Sequence, residues 1–200
     1  MDVIKTNQEL LKSLPKRTRD VIERRFGIGK KKNEETLESI GSSYGITRER
    51  VRQIEAHGLK KLRNLEMEKE HEEVFNRLKA ELERRGGVGE EEDVMASLAA
   101  FPEEQNHIRF LLTLGKDFVH VGESADLKSC WALGEEYHKT AKAALALLHA
   151  ELGAGEPVEE PEMKRAIGRK ASEITSREIP DEAAWSWLPL SKRIGKNKLG

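Results

Sequence analysis

Cysteine occurs once, at Cys130, which excludes a disulfide framework and any zinc site built from several thiolates. Proline fills 6 positions and aromatic residues make up 5% of the chain. No apolar run approaches the roughly 20 residues that span a bilayer, so no membrane partner is expected. The opening string MDVIKTNQELLK has no apolar stretch behind a basic cluster. A secretory leader is therefore not expected, and a cytoplasmic location is. Histidines at 57, 71, 107, 120, 138 and 149 show no metal-ligand spacing, and His71-Glu72-Glu73 is not HExxH. Gly86-Gly87-Val88-Gly89 lacks the Lys-Ser/Thr of a phosphate loop and reads as a turn. Cys130 beside Trp131 reads as core. With no nucleophile, base or metal constellation, the expectation is a protein that is not an enzyme and carries no cofactor.

What is present is charge, at 36% of residues, alongside a hydrophobic fraction of 37% that still permits packed cores. The net charge of −1 conceals a division. Residues 1–64 hold 16 Lys/Arg against 9 Asp/Glu, while the remainder hold 19 against 27. A basic first third attracts polyanions, and the acidic rest is repelled by them. The competing reading is that both are solvated helix faces.

Nearly all of the chain reads as helix. Thr6 and Glu9 have capping-box spacing, predicting a short helix that starts at Thr6 and ends near Pro15. A second helix is expected over about 16–25, with Gly27 as its stop, a third from Thr36, and a fourth from Thr47 to about Arg63. Residues 66–72 read as a charged bridge. Helices around 74–84, 94–98 and 106–114 follow, then β-rich segments at Phe118–Val121 and Ser129–Leu133. Three helices and two strands is the order of a winged helix-turn-helix. Leu78-Lys79-Ala80-Glu81-Leu82 and Leu148-His149-Ala150-Glu151-Leu152 repeat at a 70-residue offset. That predicts a second, incomplete copy running to Gly200. The acidic runs at 90–93 and 159–162 read as helix N-terminal charges, with divalent-cation binding as the alternative. Of Trp185 and Trp187, one is expected to pack and the other to mark a contact surface.

The segment Leu37–Ala56 reads as a helix-turn-helix. Gly41 stands where two helices cross and Gly45 where the turn needs positive φ. Leu37, Ile40, Tyr44, Ile46, Val51 and Ile54 lock the crossing. Thr47 caps the second helix and leaves Arg48, Glu49, Arg52 and Gln53 facing outward at the end that enters a major groove. Arg pairs with guanine O6/N7, Gln with adenine N6/N7, and Glu accepts from cytosine N4. Arg50, Lys60, Lys61 and Arg63 supply phosphate contacts. The alternative is an amphipathic hairpin with a solvated charged face.

These residues also carry a resemblance. LPKRTRDVIERRFGI at 14–28, TLESIG at 36–41 and above all TRERVRQIEA at 47–56 resemble region 4 of bacterial RNA polymerase sigma factors of the sigma-70 family. The likeness covers about a third of the chain. It implies that Arg48, Glu49 and Gln53 read bases of a promoter −35 element in double-stranded DNA, while Thr36, Thr47, Arg50 and Arg52 hold the backbone. It also implies docking on the flap of the polymerase β subunit. Two departures stand out. No aromatic-rich region for melting a −10 element is found, so initiation by this chain alone is not expected. His57-Gly58 replace the family's Lys and Ala, and glycine costs a helix interior about 1 kcal/mol relative to Ala.

The expected architecture is mostly α. A sigma region 4-like four-helix module occupies 1–66, a winged-helix-like domain 67–134, and a second, incomplete one 135–200. The distal pattern resembles the HARE-type helix-turn-helix of some polymerase delta subunits, and its acidity favours an unknown protein partner. The leading function is a DNA-binding transcription protein acting with bacterial RNA polymerase. The alternative is an adaptor that docks on polymerase and recruits or blocks partners through its acidic domains.

Overall fold

A computed structural model describes residues 2–30, 32–63, 67–152, 158–175 and 178–194. The helices run in the order α1 (Val3–Lys12), α2 (Lys16–Phe26), α3 (Leu37–Tyr44) and α4 (Arg48–Arg63). A four-residue α5 (Met67–Glu70) leads to α6 (Glu72–Arg84), β1 (Val88–Glu90), α7 (Glu91–Leu98) and α8 (Glu104–Leu114). Then come β2 (Val119–Val121), β3 (Cys130–Ala132), α9 (Glu135–Leu152), α10 (Glu160–Thr175) and α11 (Asp181–Trp185), with a 3-10 turn at Leu188–Leu190. The chain is thus mostly helical. It divides into two compact units, one of Met1–Leu78 with Leu98–Lys116, the other of Lys79–Ser97 with Asp117–Gly200.

In the first unit, α1 begins earlier than the capping-box spacing suggests. Asp2 is the cap, its carboxylate accepting from Lys5 N at 2.9 Å. Thr6 lies inside the helix and is buried, because the apolar stripe Val3, Leu10, Leu11 extends one turn upstream of it. Pro15 stands just outside α2, which ends on Gly27 at φ +61°. Helix α8 packs against α1, α2 and α4. Ile108, Phe110, Leu111, Leu112 and Leu114 are all fully buried, and the Phe110 ring meets Phe26 edge-on at 5.0 Å between centroids. Polar clasps accompany the apolar contact. Asn7 Nδ2 donates to the His107 carbonyl at 3.0 Å, and Arg63 donates to the Thr113 carbonyl at 2.7 Å.

In the second unit the strands form one antiparallel sheet of order β1-β3-β2, with Val88 opposite Ala132 and Val119 opposite Ala132 on the other side. The expected turn at Gly86–Gly89 is only half a turn. Gly86 and Gly87 do turn, at φ +66° and +85°, but Val88 and Gly89 pair with β3. Three residues between a glycine turn and a helix are too few to show strand alternation. Glu90 Oε2 accepts from Asp93 N at 2.9 Å and so caps α7, the helix-terminal role expected of that acidic run.

Residues 135–200 contribute helices rather than strands among those described. Their Ala141, Ala144, Leu145, Leu148, Ile167, Ala171, Trp187 and Leu190 join Val88, Cys130 and Ala132 in one core cluster. The described part of this segment therefore shares the core of the sheet. The earlier half of the 70-residue repeat leads through the glycine turn into β1, whereas 153–157, after the later half, lie outside the described residues. Trp187 is the tryptophan that packs, buried with its indole N–H donating to the Arg85 carbonyl at 2.8 Å, and Trp185 is half-buried.

Candidate nucleic-acid interface

Helices α3 and α4 form the expected helix-turn-helix. Thr36 Oγ1 accepts from Ser39 N at 3.1 Å and caps α3. Gly45 closes α3 at φ +63°, in the left-handed region that favours glycine. Thr47 Oγ1 accepts from Arg50 N at 3.2 Å and caps α4. Val21, Ile40 and Val51 form the buried centre of the crossing, with Leu37, Tyr44, Ile46 and Ile54 packed around them.

Helix α2 holds α3 in place through polar contacts. Arg24 makes a two-pronged contact with Glu35, at 3.0 Å from Nε and 2.7 Å from its terminal nitrogen. That hydrogen bond raises the Arg24 pKa. Tyr44 donates to Asp20 at 2.7 Å, and the Arg17 guanidinium lies 4.7 Å from the Tyr44 ring centre. Burial, with Asp20 beside it, pushes the Tyr44 phenol up. Gly58 also serves the scaffold. A β-carbon there would stand 2.6 Å from Ile22 Cδ1 and 2.7 Å from Thr18 Cγ2, so glycine lets α4 approach α2 closely. The close approach more than offsets the poor helix propensity of glycine at this position.

On this frame the structure exposes all eight singled-out residues, Thr36, Thr47, Arg48, Glu49, Arg50, Arg52, Gln53 and Lys60. Six of them, Thr47, Arg48, Glu49, Arg50, Arg52 and Gln53, make hydrogen bonds or ion pairs at the start of α4. Arg52 contacts Glu49 twice at 2.8 Å. The Glu49 carboxyl is held below its ordinary pKa by Arg52 first, then Gln53. Gln53 donates to Glu49 at 3.3 Å and accepts from Arg50 at 3.1 Å. Arg48 Nε reaches across to Glu38 on α3 at 3.1 Å. Thr36 and Lys60 lie apart from this network, the first at the start of α3 and the second near the end of α4. Glu38 was not among the residues that the sequence singled out. It lies ten positions from Arg48, a separation with no helical period, and only the tertiary crossing joins them.

The arrangement is a helix-turn-helix whose capped, exposed α4 N-terminus carries arginine, glutamate and glutamine, and a second helix of this motif can enter a DNA major groove. Residues 10–64 match the family model "Sigma-70, region 4". Over 57 residues the chain is 47% identical to the RNA polymerase sigma factor RpoD of Neisseria gonorrhoeae and 47% to the RNA polymerase sigma factor SigA of Nostoc sp.. It is 46% identical to the RNA polymerase sigma factor RpoD of Helicobacter pylori over the same length. The segment at 10–64 is thus similar to region 4 of sigma-70 factors, a DNA-binding transcription domain. Each match covers 28% of this chain, and 9%, 14% and 8% of the respective relatives. The chain thus corresponds to a small fraction of the length of these curated relatives.

Elsewhere, Cys130 is buried, and desolvation pushes its thiol up to about 11. No group of His, Cys, Asp or Glu suited to a metal is found among the described residues. No described helix is long and apolar enough to cross a membrane.

Proposed function

We propose that this chain is a sequence-specific DNA-binding transcription protein that reads a promoter −35-type element through the N-terminal turn of α4. Arg48, Glu49 and Gln53 contact base edges, and Thr36, Thr47, Arg50, Arg52 and Lys60 contact the backbone. It acts with bacterial RNA polymerase, through the β flap, in transcription initiation or its regulation, and works in the cytoplasm where that enzyme does. In this reading residues 1–66 carry DNA recognition, and 67–134 and 135–200 carry contacts to a protein partner. The observation that supports it most is the exposed, capped α4 N-terminus with its arginine–glutamate–glutamine pattern on a rigid crossing.

Selection of bound duplexes from a random-sequence pool by the full chain tests the proposal. Enrichment of a −35-like hexamer is the expected result. A pool that stays random after several rounds contradicts it and makes isolated polymerase the partner to examine.

A further inference from the structure

Among the ion pairs at the start of α4, one differs in kind. Glu49 and Arg52 lie on the same helix three residues apart, so they travel together as a preset unit. Glu38 and Arg48 belong to different helices and meet only because α3 crosses α4. Glu38 sits in the first turn of α3, behind the Thr36 cap, where the helix dipole favours a carboxylate. Arg48 is the first residue of α4. Both side chains are well exposed, at 59% and 70%, so neither is locked by packing.

We propose that Glu38 is a specificity-determining residue for DNA recognition, an acidic competitor that releases Arg48 only to a matching base. The inference rests on the reading of α4 as the DNA-contacting helix. On a matching duplex, guanine O6 and N7 offer Arg48 two acceptors in the geometry of its guanidinium fork, and an exposed ion pair is weak enough to be displaced. On a non-matching duplex, the acceptors left for Arg48 are phosphates with charge of the same sign as Glu38. There the carboxylate competes on similar terms, and the non-specific contribution of Arg48 is withheld. A carboxylate so close to the contact surface also repels phosphate, whichever sequence is bound. Specificity then comes partly from suppressing the wrong complex.

The test compares wild type, Glu38→Gln, Arg48→Ala and the double variant, all as full chains. Fluorescence anisotropy is read on a −35-consensus duplex and a scrambled duplex over a series of salt concentrations. Because Glu38 is exposed, Glu38→Gln keeps the fold, and its thermal melt checks this. In Glu38→Gln, the scrambled duplex is expected to bind about tenfold tighter and the consensus about threefold, with the scrambled complex steepening in log K against log[salt] by about 0.9. In the Arg48→Ala background, the same substitution shifts both duplexes equally. Equal tightening of both duplexes with Arg48 present overturns the proposal, as does no change in either. A wild-type chain that does not prefer the consensus overturns the −35 reading itself, which separates that failure from the failure of the Glu38 role.

Discussion

A β-carbon built on Gly41 would stand 2.7 Å from the carbonyl oxygen of Ile46. The obstacle is backbone, and that carbonyl belongs to the turn, where Ile46 N also donates to the Gly41 carbonyl at 3.0 Å. Neither partner can swing aside as a long side chain can. Gly41→Ala is therefore expected to destabilise the first unit by about 1–3 kcal/mol, despite alanine's better helix propensity. Urea unfolding of the two proteins gives the difference, and an alanine variant as stable as wild type refutes the close contact.

Phe110 makes the same point for α8. It is fully buried and meets Phe26 edge-on. Phe110→Ala is expected to cost about 3–5 kcal/mol, although the residue lies outside the segment that matches region 4. A loss below about 1 kcal/mol in the same unfolding experiment would show that α8 is not part of the core that supports α1, α2 and α4.

The helix-turn-helix was legible because each of its parts is local. Gly41, Gly45, the two threonine caps and the apolar positions all fall within 21 residues of sequence and agree with one another. The seating of α8 on α1, α2 and α4 was not legible. It joins Phe26 to Phe110 and Asn7 to His107, at separations where an amphipathic pattern shows that a face is buried but not against what. Strand β1 was missed for the opposite reason, being too short for any period. Thr6 and Glu9 matched a capping box by spacing alone, while the real cap, Asp2, was hidden at the chain start.

Acidification should act through His107. Asn7 Nδ2 lies 2.9 Å from His107 Nδ1, so that ring nitrogen must be the acceptor, hence unprotonated. Burial lowers the His107 pKa, with Glu104 opposing. A histidine with a depressed folded pKa costs nothing while both states are neutral. Stability falls once pH drops below the ordinary histidine value of about 6.5, because only the unfolded chain takes up the proton readily. Melting temperature is expected to decline from pH 7 to pH 5, and His107→Gln should flatten part of that decline. An unchanged slope in the variant removes His107 as the cause.

Cys130 should be inert in the native protein. It is buried, and its thiol is pushed up to about 11 by desolvation and by Glu91 and Glu90, so little thiolate exists at pH 8. A thiol-reactive chromophore should label it only after denaturation. Rapid labelling of the folded chain would mean that the sheet opens at β3.

The most direct test of the central claim is salt-titrated anisotropy of the full chain on −35-consensus and scrambled duplexes, with Arg48→Ala and Gln53→Ala beside it. The account predicts that the wild type prefers the consensus and that log K falls with log[salt] by about 0.9 per phosphate neutralised. Each variant should lose about 1–3 kcal/mol of discrimination. Equal affinity for both duplexes, or variants that bind and discriminate as well as wild type, would contradict it.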